Sequence, residues 1–203
     1  MAVIESVQRL RELIGTPNQL VHQKIHSRLN LLARDFIARS PMLFLATGGE
    51  SGQAQVSPKG DLPGFVQVLD DHTIVIPERK GNKLAFSLEN ILDNPKVGLV
   101  FLVPGTCETL RVEGRAQLDD DLALCQQLSA RGSAALLVMR VVVDAVYFHC
   151  AKAFLRAELW QPQTWPEKIK VSFGREIAER GGLDPANIDE FDAAVHSRYK
   201  TDL

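Results

Sequence analysis

Apolar positions Leu20, Val21, Ile25, Leu29, Leu32, Phe36 and Ile37 recur at three- and four-residue spacings with charges between them. That period predicts an amphipathic helix over 19–40, ended by Ser40-Pro41. The period then shortens to two. Met42–Thr47 is a short apolar run, Gly48-Gly49-Glu50-Ser51-Gly52 a turn, and Gln53–Ser57 a returning strand. Phe65–Leu69 and Thr73–Ile76, flanking Asp70-Asp71, predict a second hairpin. A helix is predicted over Asn82–Asp93, with Leu84, Leu88, Ile91 and Leu92 on one face and Asn94-Pro95 as its stop. Val97–Val103 reads as a buried strand, closed by Pro104-Gly105.

Thr109–Leu118 alternates cleanly, Leu110, Val112, Gly114, Ala116 and Leu118 on one face and Thr109, Arg111, Glu113, Arg115 and Gln117 on the other. A helix near 120–131, a strand over Leu136–His149 with the β-branched run Val141-Val142-Val143, and a short helix over Ala151–Trp160 follow. The tail from Pro162 is polar, with helical pieces near 166–180 and 185–199. The strands come as hairpins and not as βαβ units. The expected fold is therefore mainly β with flanking α: an antiparallel sheet or small barrel with helices packed outside.

With 203 residues, 45% apolar and 24% charged, the chain is long enough for one sizeable core. Its net charge of −2 and the lack of a basic, aromatic-interleaved stripe speak against nucleic acid as a partner. No apolar run approaches the roughly 20 residues of a membrane span. The N-terminus lacks a signal peptide's apolar segment, so a cytoplasmic location is expected. Three cysteines without a CxxC pair do not describe a disulfide framework.

Candidate chemistry concentrates in IVIPERKGNK, residues 74–83. Arg79, Lys80 and Lys83 lie between a strand end and a helix start, where backbone N–H groups and cations together suit a phosphate. Asn82 is the expected N-cap, and Gly81 allows close backbone approach. Read alone, the stretch fits a solvated loop slightly better than an anion site. Ser57-Pro58-Lys59-Gly60-Asp61 follows a strand end and can present N–H groups and Lys59 to a planar polar ring, or be an ordinary turn. Arg111 and Arg115 sit on a polar strand face, where pairing with Glu113 is the alternative. His149 and Cys150 are strand neighbours that point apart and cannot act on each other. His22 and His26 stand one helical turn apart without the Glu of HExxH, on what reads as a solvated face.

In order and spacing, SPKGD, IVIPERKGNK, NILDNPKVGLVFLVPG and ETLRVEGRAQL resemble the FMN-binding split-barrel proteins of the pyridoxamine 5′-phosphate oxidase-like class, over roughly residues 40–162. HCAKAFLRAELW, at His149–Trp160, resembles a segment of a bacterial subgroup. The resemblance implies an antiparallel split β-barrel over 41–162, with an N-terminal helical extension over 1–40 and a helical tail over 163–203, all one structural unit. It implies FMN as cofactor, with Arg79, Asn82, Lys83 and Lys80 on the phosphate. Ile76 and Pro77 would line the ribityl and ring region, and Ser57, Pro58, Lys59 and Gly60 the isoalloxazine. Arg111 would approach the cofactor, often across a dimer, and His149, Lys152 and Arg156 would complete the pocket from one subunit or the other.

Homodimers with interfacial flavins are implied, as is an oxidoreductase whose FMN accepts a hydride at N5, with Lys59 or Arg111 as the cation near the ring. The tail IDEFDAAVHSRYKTDL lacks the arginine- and histidine-bearing motif with which the vitamin B6 oxidases grip substrate, so the substrate stays unidentified. The alternatives are a non-catalytic flavin-binding or sensor protein, and a split barrel that uses haem or the deazaflavin F420.

Overall fold

The structure is a computed structural model that describes residues 3–201. The alternating segments form one sheet of seven strands: β1 (Met42–Gly48), β2 (Ala54–Gly60), β3 (Gln67–Val68), β4 (Thr73–Glu78), β5 (Lys96–Leu102), β6 (Thr109–Asp119) and β7 (Leu137–His149). Their order is β2-β1-β5-β6-β7-β4-β3, and the ladders are antiparallel. This is the split β-barrel with outer helices that the hairpin pattern and the resemblance predict. Leu43, Leu45, Leu99, Phe101, Leu110, Val112, Ile74 and Ile76 project inward and are all but sealed from solvent.

The barrel closes without a backbone ladder between β2 and β4. Side chains span that seam instead: Lys59 pairs with Glu78 at 2.5 Å, and Arg79 Nε donates to Asp61 at 2.9 Å. Elsewhere the ladder is tight. A register shift between Glu113 and Gly114 bulges β6 against β7, and a Cβ at Gly114 would lie 2.3 Å from the Val142 carbonyl oxygen.

The helices depart most from the predicted pattern. The single helix expected over 19–40 is two: α2 (Gln19–His22) and α3 (Leu31–Arg39). Between them His26 and Val146 exchange backbone hydrogen bonds at 3.0 and 2.8 Å, and Asn30 then caps α3 by accepting from Ala33 N. A bridge to β7 outweighs the local helical period there, and Leu20, Val21, Ile25 and Leu32 stay exposed. A further helix in the N-terminal extension, α1 (Val7–Ile14), buries no residue. The helix expected from Asn82 starts at Phe86 (α4, Phe86–Asp93), and the one over 120–131 shrinks to α5 (Leu122–Gln127).

That over 151–160 shrinks to α6 (Lys152–Arg156), and the tail forms α7 (Phe173–Glu179) and α8 (Ile188–Thr201). Those last two pack on each other around buried Asp192, which accepts from the Gly174 N–H at 2.9 Å. Among the described residues no helix is long and apolar enough to cross a membrane.

Candidate functional site

β4 runs out at Glu78, and the chain needs seven residues of irregular backbone to reach α4. Lys83 (φ 64°) and Ala85 (φ 53°) both take the left-handed conformation, which is uncommon for residues with a Cβ. Asn82 is not the N-cap. Its side chain accepts from Leu84 N at 3.0 Å and shapes the loop, while the cap position falls to Ala85, which has no side-chain acceptor. The first turn of α4 therefore keeps N–H groups with no side chain to satisfy them, at the positive end of the helix.

This helix start is one wall of a cavity of about 280 Å³. Ser57 and Lys59 of β2 form the opposite wall, Glu78 and Arg79 the floor, and Phe86, Leu88 and Leu136 an apolar side. Ser57 and Ser87 share a short hydroxyl–hydroxyl hydrogen bond. The Lys59 and Glu78 side chains are 15% and 19% exposed, so Glu78 fixes the ammonium against the cavity wall. Arg79 Nη1 is buried without a hydrogen-bond partner. Lys83 and Lys80 have no side-chain hydrogen bond or ion pair among the described residues. A buried guanidinium nitrogen with nothing to donate to, beside uncapped N–H groups and unpaired ammonium groups, is the donor set an anion requires.

The structure thus brings Ser57, Lys59, Arg79, Asn82 and Lys83 to one cavity. Gly60 and Lys80 line an adjoining cleft that shares Arg79. Ile76 is fully enclosed in the barrel core, and Pro77 is buried one residue further along β4.

Pro58 projects to the other face of β2, in a cross-strand row Pro58–Phe44–Val100–Arg111–Tyr147 that places Arg111 on the outer surface of the sheet. Arg111 Nε is buried and unpaired. His149 ends β7 at the opposite end from the Leu137–Glu78 pairing, on the order of 40 Å away along an extended strand. Burial, then the nearby Arg111 and Lys24 cations, hold His149 below the usual histidine range. Lys152 is exposed beyond it. Within one subunit these three residues and the cavity are separate places.

Sequence reasoning missed the acids. Asp61 and Glu78 stand next to the cations in sequence, but only the closure of the seam pairs each with a cation from the other side. It also missed Arg131, which lines a cleft with Arg79 from the loop after α5.

The sequence profile of the family described as pyridoxamine 5′-phosphate oxidase matches residues 32–150, more than half of the chain. The chain belongs to this family. The match spans α3 from its second residue and every strand, including both walls of the cavity.

Among solved structures, a candidate pyridoxamine 5′-phosphate oxidase from Lactobacillus delbrueckii is 26% identical, with 60% of this chain and 95% of that one covered and a TM-score of 0.47. HupZ from Group A Streptococcus is 20% identical over 59% of this chain and 92% of its own, with a TM-score of 0.48. An FMN-binding protein from Syntrophomonas wolfei is 11% identical over 70% and 93%, with a TM-score of 0.47. No curated protein matches the sequence.

Proposed function

We propose that this member of the family binds FMN in the β2–β4 cavity and works as an FMN-dependent oxidoreductase on a small substrate. The observation that carries the reading is Arg79: its Nη1 is buried and unpartnered at a cavity that also holds Lys83 and the uncapped start of α4. Arg79 would grip phosphate oxygens with its planar fork, Lys83 would add a point charge, and the α4 N–H groups would complete the seat. Phe86, Leu88 and Leu136 offer apolar surface to the rest of the molecule. Lys59, kept in place by Glu78, would present its ammonium toward a polar ring edge. When bound, FMN supplies the redox chemistry, and the protein's part is position and electrostatics.

Two copies would complete the site. The outer sheet face carries Phe44, Ala46, Val56, Gly98 and Val100 beside Arg111, and Val56 is 64% exposed. A second subunit laid on this face would cover it, give the buried Arg111 Nε a route to a ligand, and bring one subunit's His149 and Lys152 toward the other's cavity.

The absorbance spectrum of the purified protein tests the cofactor. Flavin bands, with FMN released on denaturation, are expected; a Soret band or F420 fluorescence would overturn the assignment. Bleaching of those bands by NADH or NADPH under anaerobic conditions tests the enzyme reading. A flavoprotein inert to every donor would leave a flavin carrier or sensor in its place. Light scattering during gel filtration should give twice the 22.5 kDa chain mass.

A further inference from the structure

We infer that Glu78 is a positioning residue for the cofactor: it holds the Lys59 ammonium on the cavity wall and cancels its charge there, so that the flavin meets a neutral pair and not a free cation. The inference rests on the proposal that FMN occupies this cavity. Lys59 Nζ and a Glu78 carboxylate oxygen lie 2.5 Å apart, and both side chains are largely buried. Both line the cavity, and among the described residues Glu78 is the one acid that does. A phosphate seated at Arg79, Lys83 and the start of α4 directs the rest of the molecule toward the opposite wall, where Lys59 stands.

Closure of the barrel accounts for a contact at this point but not for its charges. Each backbone is already held by a ladder, Lys59 opposite Leu43 in β1 and Glu78 opposite Leu137 in β7. The Glu78 carbonyl also accepts from the Leu136 N–H at 3.0 Å. Two apolar side chains would close the gap about as well, because desolvation offsets most of a buried ion pair's attraction. The charges are explained by what the cavity holds. Uptake of two electrons and one proton by FMN adds one negative charge to it. A free ammonium on the wall would favour that form strongly in a site shielded from water. An ammonium compensated at 2.5 Å acts at a distance as a dipole, and favours it far less. Glu78 thereby keeps the potential of the bound cofactor low and its reduced form a ready electron donor, while Lys59 retains N–H donors for a polar ring edge.

The test is the midpoint potential of FMN bound to the full-length protein, read by reductive titration against a reference dye at neutral pH. Glu78→Gln leaves Lys59 uncompensated and should raise the potential by about 30 mV or more, equivalent to tenfold in the two-electron equilibrium. Lys59→Met leaves the carboxylate and should lower the potential by a similar amount. The double variant Lys59→Met/Glu78→Gln carries no charge at either position, so it should fold and return close to the potential of the unaltered protein. A purely structural pair would move the urea midpoint of the single variants without shifting their potentials in opposite directions. Bound FMN whose potential ignores all three variants, or moves the same way in both single variants, overturns the inference and leaves the cofactor assignment standing. An unaltered protein that takes up no FMN overturns that assignment, and the role of Glu78 falls with it.

Discussion

Replacing Arg79 with alanine should do two separable kinds of damage, because the residue faces two ways. Its Nε holds Asp61, whose side chain is only 6% exposed, while Nη1 is left for a ligand. Without the guanidinium, the Asp61 carboxylate keeps the Leu62 N–H as a partner but loses its counter-ion. Arg79 is itself 26% exposed, so water can reach part of the gap, and the loss should be about 1–3 kcal/mol and not the larger cost of a fully enclosed charge. In the ligand, a charge-assisted hydrogen bond of about 1.5–3 kcal/mol disappears, or roughly 10- to 100-fold in FMN affinity.

The double variant Arg79→Ala/Asp61→Asn separates these effects. A neutral amide needs no counter-ion, so the urea midpoint should recover most of the loss while FMN affinity, read by quenching of flavin fluorescence, stays low. Riboflavin is the control: lacking the phosphate, it should bind Arg79→Ala nearly as well as the unaltered protein. Equal weakening of riboflavin and FMN, or recovery of FMN affinity in the double variant, would refute the phosphate role and reduce Arg79 to a structural staple.

Lys83→Ala removes an exposed cation with no protein partner, so it should leave the urea midpoint unchanged and weaken FMN alone, by about 1 kcal/mol. Gly114→Ala should lower stability by about 3 kcal/mol, since the new Cβ would meet the Val142 oxygen at 2.3 Å and Val141 Cγ1 at 3.1 Å; an unchanged urea midpoint would count against the tight bulge. Arg111→Gln should raise the pKa of His149 toward the ordinary 6.5 without reaching it, because burial is the larger cause of its depression; NMR titration of the imidazole reads this directly. Hydrogen bonds from Ser172 and then the Gly174 N–H hold Asp192 below the ordinary carboxylate value of 3.8. Its contribution to the α7–α8 pair is therefore complete above that value and lost as pH falls through the depressed one. Hydrogen exchange in the tail should accelerate there first, and Asp192→Asn should abolish the pH dependence.

How much of this was legible in sequence depended on the range of the forces involved. β6 was readable because alternation is a local property: Leu110, Val112 and Ala116 are buried just where the period-two pattern puts them. The helix over 19–40 was misread because its interruption has a distant cause, the backbone pairing of His26 with Val146. Asn82 was misread for a subtler reason. An asparagine can cap a helix or close a turn with the same acceptor oxygen, and here two left-handed residues, Lys83 and Ala85, intervene before α4 begins. The cations at 79–83 were visible as a cluster, but whether they had partners was not, since Asp61 and Glu78 reach the cations only across the closed seam.

That seam also bears on which cations are free to bind. Around the two cavities stand Lys59, Arg79, Lys80, Lys83 and Arg131, and among the described residues Glu78 and Asp61 are the acids that line them. Both acids pair with residues that bridge β2 to the β4 end, so they serve closure of the barrel where no backbone ladder exists. Had the remaining three cations been needed for closure as well, acids should face them, because unpaired like charges at close range oppose folding. None does among the described residues. The fold therefore tolerates a local positive excess that it does not use. The excess lies beside Arg79, where the proposed flavin phosphate would offset it.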